Sequence, residues 1–212
     1  MPDSMTASPI TAPRPPTIRA RHAASLIVLR AQGGEPAMLM GMRGAGHRFM
    51  PNRLVFPGGA VDPADAAAPI GSPLAPHVQA MLEKAAKPRL ARALAVAAAR
   101  ELEEETGLTL GAAPALAGLD YLGRAVTPPG NPVRFNARFF VVDEAEISGT
   151  LAGSGELEGL RWYGMAEALA LDLARPTRAV ITLLQEWMLL SPAERVGRVK
   201  TPAMKNRKLE ME

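Results

Sequence analysis

The chain has 212 residues, 48% hydrophobic and 21% charged, which is enough to bury the core of one enzyme-sized domain. It contains no cysteine, so disulfides, thiolate metal sites and a cysteine nucleophile are excluded. No apolar run reaches the length of a membrane span, and residues 1–21 lack the apolar segment of a secretory signal. We therefore expect a cytoplasmic protein without a membrane partner.

The basic charge of the chain lies at its two ends. The net charge is +3, of which residues 1–21 contribute +2 and residues 194–212 contribute +3, leaving −2 for residues 22–193. We therefore predict a disordered proline-rich arm (1–21), a single folded domain (22–193) and a basic C-terminal tail (194–212), and no nucleic-acid partner is expected. A tail that touches RNA or an anionic membrane is the alternative.

Hydrophobic periodicity and chain-breaking residues predict a mixed α/β fold. The first two strands form a hairpin through Gly33-Gly34, and the third enters a tight bend at Gly58-Gly59. Gly107 is predicted to end the longest helix, and Thr177 to be the N-cap of the last one. Strands are predicted at 23–29, 37–43, 54–56, 119–126, 133–142 and 160–163, and helices at 74–85, 89–106, 165–171 and 177–190.

The end of the longest predicted helix carries three carboxylates on one side. At about 100° per residue, Glu101, Glu104 and Glu105 fall on one arc, whereas Glu103 points away. Like charges three and four residues apart repel each other, so a helix that gathers them is typical of a site for a hard divalent cation. A solvated acidic face is the alternative.

The segment from Arg100 to Leu108 reads Arg-Glu-Leu-Glu-Glu-Glu-Thr-Gly-Leu and resembles the second half of the Nudix hydrolase box at every fixed position. Gly59 matches the glycine that opens this box. Two features differ from the family. Asp65 stands where the family has Glu, and the 41 residues from Gly59 to Arg100 are 27 more than in the family, which places an insert at 66–89.

Further stretches resemble the branch of the family that contains the peroxisomal coenzyme A diphosphatases. These stretches are Pro57-Gly58-Gly59 with Asp62 and Asp65, Thr127-Pro128, residues 134–140, and Gly155-Glu156 ahead of Trp162. The resemblance implies an α/β/α sandwich with a mixed sheet between helices. It also implies a metal-dependent hydrolase that cleaves the diphosphate linkage of a small-molecule nucleoside diphosphate derivative.

The same resemblance makes coenzyme A or an acyl-CoA the leading substrate. ADP-ribose, NADH and dinucleoside polyphosphates are rival substrates, and a non-catalytic sensor that binds a nucleotide derivative is the alternative. An intact set of three carboxylates favours the enzyme, because a protein that only binds the nucleotide has no need to keep their mutual repulsion.

The resemblance further implies roles for the charged residues. Mg²⁺ or Mn²⁺ is the expected cofactor. Its expected ligands are Glu101, Glu104, Glu105, the Gly59 carbonyl and Glu156. Glu158 is the alternative to Glu156 as the ligand from a loop. The expected catalytic residues are Glu104, Glu105 and Arg100, the last as the residue that orients Glu101.

Five arginines are candidates for contacts with the substrate phosphates, because guanidinium forks suit bidentate phosphate binding. Arg43, Arg53 and Arg138 lead, followed by Arg48 and Arg134. A solvated strand face is the alternative for each of them.

The insert at 66–89 contains a helical segment with one apolar face, and both of its ends lie beside the expected diphosphate position. We therefore expect the insert to wall or cover the site. A surface elaboration, or a contact between two copies of the chain in a homodimer, is the alternative.

Overall fold

The computed structural model describes residues 18–30, 34–46 and 50–212. Most of the arm predicted at 1–21 lies outside the described residues, as does the first glycine of the predicted Gly33-Gly34 turn. The strands are β1 (Arg21–Arg30), β2 (Ala37–Arg43), β3 (Leu54–Val55), β4 (Gly58–Ala60), β5 (Leu108–Thr109), β6 (Asp120–Val126), β7 (Phe135–Asp143), β8 (Ser148–Gly149), β9 (Leu157–Gly164), β10 (Pro202–Lys205) and β11 (Lys208–Met211). The helices are α1 (Pro76–Glu83), α2 (Pro88–Thr106), α3 (Met165–Ala170), α4 (Arg175–Met188) and α5 (Pro192–Val196).

Most strands belong to one mixed sheet. Its order is β11-β10-β6-β7-β1-β2-β3, with β4 paired to β1 and β9 paired to β2. The pairs β1–β7 and β6–β10 are parallel, and the other pairs of this sheet are antiparallel. Strands β5 and β8 form a separate two-stranded sheet. The predicted mixed sheet is confirmed.

The sheet separates two hydrophobic cores, because successive side chains of a strand point to opposite faces. In β1, Leu26 and Val28 pack with α1 and α2, whereas Ile27 and Leu29 pack with α3 and α4. This arrangement is an α/β/α sandwich, as expected. Among the described residues, no helix is long and apolar enough to cross a membrane.

Helix α2 is the longest helix and lies directly on β4 and β1. Pro88 stands at its first position, where a missing N–H costs no intrahelical hydrogen bond. Alanines fill much of its buried side and allow the helix axis to approach the sheet closely. Gly107 ends the helix with φ 72°, the left-handed conformation that favours glycine, and the predicted stop is confirmed.

Two local predictions were wrong. Gly58-Gly59 is not a tight bend but part of β4, which pairs with β1 in antiparallel fashion. A Cβ at residue 58 would lie 2.4 Å from the Ala24 carbonyl oxygen, so close strand packing accounts for this glycine. Thr177 is not an N-cap, because α4 already begins at Arg175, after Ala174.

The insert packs on α2. Helix α1 buries Val78, Met81 and Leu82 in the core on the α2 side of the sheet. Arg92 of α2 donates a hydrogen bond to the Ala66 carbonyl at 2.8 Å, which fastens the start of the insert. The predicted apolar face of the insert is confirmed.

The segment 194–212 is folded, and the prediction of a basic tail was wrong. Strand β10 pairs in parallel with β6, Ala203 is fully buried, and β11 completes a hairpin with β10. Several of its charges are paired: Arg198 donates to Asp120 at 2.9 Å, and Glu212 accepts from Arg124. Composition could not reveal this, because the strand that completes the pairing lies about 80 residues upstream.

The pairing of Glu212 gives a prediction about pH. Arg124 Nε donates to its carboxylate at 2.6 Å, and this hydrogen bond lowers the pKa of Glu212 from 4.5 to about 2. Because the folded pKa lies below the ordinary value, the stabilisation is complete above pH 4.5 and is lost as the pH falls towards 2. We expect Glu212→Gln to lower the free energy of unfolding by about 1–2 kcal/mol at pH 7, and by almost nothing near pH 2.

Denaturant unfolding at the two pH values measures this difference. Glu210→Gln is the matched control. The Glu210 side chain is 52% exposed and its ion pair with Lys205 is long, at 3.7 Å, so its replacement should change the free energy of unfolding by less than about 0.5 kcal/mol. An equal loss of stability at pH 7 and at pH 2 would contradict the role assigned to the Glu212 charge.

Candidate active site

The last two turns of α2 present three glutamates beside β4. Glu105 is buried, and its carboxylate accepts a hydrogen bond from the Gly58 N–H at 2.8 Å. Glu101 is partly buried, and a Cβ at residue 59 would lie 2.3 Å from its Oε1, so only glycine at that position leaves room for this carboxylate. Glu104 is the most exposed of the three, with 57% of its side chain accessible to solvent.

Arg100 connects two of these carboxylates. Its Nη1 donates to Glu101 at 2.9 Å and to Glu104 at 2.8 Å. Its Nη2 donates to the Ala60 carbonyl at 3.1 Å. The structure thus brings Arg100 to the two glutamates, at a geometry that suits the orienting role expected from the sequence.

Asp65 holds Arg100 from the other side, which the sequence interpretation did not foresee. Its side chain is buried and accepts from Arg100 Nε at 2.9 Å and from the Asp62 N–H at 2.7 Å. The hydrogen bond to Asp65 is the main cause that raises the pKa of Arg100. The available signal was the pair Asp62 and Asp65 around Pro63: these residues form the capping box of a short 3₁₀ turn, Pro63–Ala66.

The carboxylates are held in a setting that disfavours their charge. Burial raises the pKa of Glu105 to about 7, and burial is also the main cause that raises the pKa of Glu101. The negative charge of Glu156 raises both pKa values further. Glu101 and Glu105 are thus both partly desolvated beside β4, and their role as metal ligands with Glu156 stays a prediction.

This set of donors fits a hard divalent cation. Carboxylate oxygens are the ligands that Mg²⁺ and Mn²⁺ prefer, and a cation would offset the desolvation of Glu101 and Glu105. Within the described part of the chain, however, no group of three or more acids or histidines already surrounds one point. Arg100 donates to one oxygen of Glu101 and to one oxygen of Glu104, so each carboxylate keeps a second oxygen that Arg100 does not engage.

A cavity of about 980 Å³ begins beside the same strand. It lies between the α4 face of the sheet and the first turns of α4, and Gly58 and Gly59 form its border with the carboxylates. Arg43 also lines it: its Nη2 donates to the Gly58 carbonyl at 3.3 Å, and its buried Nε has no hydrogen-bond partner among the described residues. Arg43 therefore lines the cavity, and its contact with a substrate phosphate stays a prediction.

Two other arginines do not line this cavity. Arg53 forms an ion pair with Asp172. Arg138 is fully buried and donates to the carbonyls of Asn136 at 3.0 Å and Ala85 at 2.9 Å. The structure thus contradicts the expected substrate contact of Arg138, because its guanidinium connects β7 to the insert. Arg48 lies outside the described residues.

The insert does not line the cavity either. None of residues 66–89, all of which the structure describes, is among its lining residues. The insert packs on the α2 side of the sheet, whereas the cavity opens on the α4 side. The insert therefore does not wall this cavity, and its role at the carboxylates stays a prediction.

Comparisons with known proteins agree with this architecture. A NUDIX domain model matches residues 89–184. The crystal structure of a NUDIX hydrolase from Alicyclobacillus acidocaldarius is 29% identical and superposes with a TM-score of 0.61, covering 79% of this chain and 92% of that chain. No curated protein sequence matches the chain significantly.

Two more distant structures share the fold. A MutT NUDIX hydrolase from Burkholderia pseudomallei has 19% identity and a TM-score of 0.51, covering 79% of this chain and 99% of that chain. The NUDIX domain of Shewanella oneidensis NrtR, complexed with ADP ribose, has 14% identity and a TM-score of 0.51, covering 81% and 90%. The matched NUDIX domain and the fold shared with the Alicyclobacillus enzyme both support a Nudix hydrolase.

Proposed function

We propose that the protein hydrolyses the diphosphate linkage of a nucleoside diphosphate derivative bound in the cavity of about 980 Å³. The observation that carries this proposal is the junction at Gly58 and Gly59. On one side of these glycines lie the carboxylates of Glu101 and Glu105, and on the other side lies the cavity with Arg43. A diphosphate at this border lies next to Arg43, which can neutralise its negative charge, and next to the two carboxylates, which can bind a cation.

The chemistry requires such a border. A diphosphate ester resists hydrolysis because its anionic oxygens repel an incoming nucleophile. Glu101, Glu104 and Glu105 would hold a divalent cation, which when bound would neutralise those oxygens and make the attacking water more acidic. Arg43 presents a guanidinium that suits the oxygens of a phosphate. Arg100 keeps Glu101 and Glu104 in place, and Asp65 keeps Arg100 in place.

Coenzyme A or an acyl-CoA is the leading substrate, on the resemblance of the chain to the coenzyme A diphosphatases. The volume of the cavity, about 980 Å³, is at the upper end of the range for small-molecule sites. The distant NrtR domain is complexed with ADP ribose, which keeps ADP-ribose, NADH and dinucleoside polyphosphates as rival substrates. We place the enzyme in the cytoplasm.

A substrate screen tests the proposal. Coenzyme A, an acyl-CoA, ADP-ribose, NADH and a dinucleoside polyphosphate are each incubated with the protein and Mg²⁺ or Mn²⁺, and the products are separated by mass. We expect two nucleoside or ester monophosphate products from at least one substrate, and no turnover in excess chelator. Saturable binding of these compounds without any product would instead support the non-catalytic sensor.

A further inference from the structure

The far end of the cavity is basic. Five basic residues and one acidic residue, Glu186, are among the described residues that line it. The basic lining residues are Arg43, Arg175, Arg178, Arg207 and Lys208. Arg43 lies beside β4, whereas the other four belong to the start of α4 and to the β10–β11 hairpin. The positive charge is therefore concentrated opposite the carboxylate end.

None of these five cations has an acidic partner. Among the described residues, no carboxylate forms an ion pair with any of them, Arg175, Arg207 and Lys208 included. Arg175 Nη2 donates to the Arg207 carbonyl at 3.4 Å, which holds the start of α4 against the tip of the hairpin. Arg178 is different, because it donates to the carbonyls of Leu169 and Leu171 and is thus committed to α3.

The turn of the β10–β11 hairpin has a backbone conformation that arginine adopts only at a cost in free energy. Lys205 and Lys208 are paired, so Asn206 and Arg207 form a two-residue turn, and both have positive φ, 48° and 67°. This turn favours Asn followed by Gly, and a side chain at the second position costs about 1 kcal/mol. Arginine at that position is therefore an outlier of the kind found at functional sites.

The separation of the two ends follows from the sheet. From β4 the strand order runs through β1, β7, β6 and β10 to β11, which is five intervals. At about 4.8 Å per interval, the outer strands lie about 24 Å apart. The long side chains of Arg175 and Arg207 shorten the gap, but a group bound there remains far from a diphosphate at Gly58-Gly59.

We propose that Arg175, Arg207 and Lys208 bind a second anionic group of the substrate, remote from the diphosphate that is cleaved. This inference rests on the proposed function for the position of the diphosphate. It assigns the C-terminal hairpin a role in substrate selection: substrates with an additional phosphate or carboxylate are preferred over those that lack it. Two parts of a substrate can carry this second anionic group: the nucleoside, as an additional phosphate, or the end of the group on the other side of the diphosphate, as a carboxylate.

Two pairs of compounds separate these sources. NADPH and NADH differ by one ribose phosphate, and succinyl-CoA and butyryl-CoA differ by one terminal carboxylate. Affinity is measured by calorimetry in chelator, and kcat/KM is measured with Mg²⁺. In at least one pair, we expect the unmodified protein to prefer the more anionic member by about tenfold, as one charge-assisted contact provides.

Arg207→Gly is the informative variant, because glycine suits the turn. It should leave the melting temperature equal or higher, while the preference for the anionic member falls to within about twofold. Lys208→Gln should reduce the same preference without altering the turn. Lys200→Gln, which removes an exposed charge outside the cavity lining, should keep the preference.

The outcomes separate this inference from the proposed function. Equal affinity and equal kcat/KM within both pairs, including no binding at all, would overturn the inference. So would a preference that survives in Arg207→Gly and Lys208→Gln. A charge preference in binding without any hydrolysis supports the second anion site and rejects the proposed function. Hydrolysis without a charge preference does the reverse.

Discussion

Replacing Glu104 by Gln is expected to lower kcat by at least about 100-fold on whichever diphosphate substrate the enzyme accepts. The side chain of Glu104 is 57% exposed, so the substitution removes a charge without disturbing the core. What it removes is one of the three carboxylates that α2 presents beside β4. With one fewer anion, the set holds a divalent cation less tightly, and the turnover that depends on this cation falls.

Glu103 is the matched control. It lies one residue earlier on the same helix, is exposed, and does not face β4 with the other three glutamates. We expect Glu103→Gln to keep kcat within about twofold, since surface substitutions away from a site have small effects. Steady-state kinetics with Mg²⁺ and with excess chelator compare the two variants. Full turnover by Glu104→Gln, or turnover in chelator, would contradict a cation-dependent role.

Local features of the fold were predictable from the sequence. The helix 89–106, its stop at Gly107 and the apolar face of the insert depend on periodicity and on residues close in the chain. The same holds for the carboxylates, because helix geometry alone places Glu101, Glu104 and Glu105 on one side.

The parts that the sequence did not show depend on distant contacts. The composition of residues 194–212 predicted a charged tail, but part of this segment forms the hairpin β10–β11, because β10 pairs with the distant strand β6. Arg138 resembled a surface arginine in an alternating strand, but the insert covers it and accepts its hydrogen bond through Ala85. The insert packs on the side of the sheet opposite the cavity, which no local pattern encodes.

Asp65 depends on a local pattern and on a distant contact: it belongs to the capping box of the Pro63–Ala66 turn, and it accepts a hydrogen bond from Arg100. It is 2% exposed and accepts from three N–H donors: Arg100 Nε at 2.9 Å, Arg100 Nη2 at 3.3 Å and the Asp62 N–H at 2.7 Å. Asparagine has one acceptor oxygen and directs an N–H₂ group at one of these donors. We expect Asp65→Asn to lower the free energy of unfolding by about 2–4 kcal/mol, since it leaves a buried donor unpaired and the guanidinium without its counter-charge.

The substitution Asp65→Asn should also lower kcat, because Asp65 holds Arg100. Without the contact to Asp65, the guanidinium no longer fixes Glu101 and Glu104, so kcat should fall by about tenfold while KM changes little. Asp65→Glu retains the charge and should recover more of kcat than Asp65→Asn. Asp62→Asn is the control, because Asn caps the Pro63–Ala66 turn as well as Asp does. Denaturant unfolding and steady-state kinetics test both effects, and an Asp65→Asn protein with the stability and kcat of the original chain would show that Asp65 does not position Arg100.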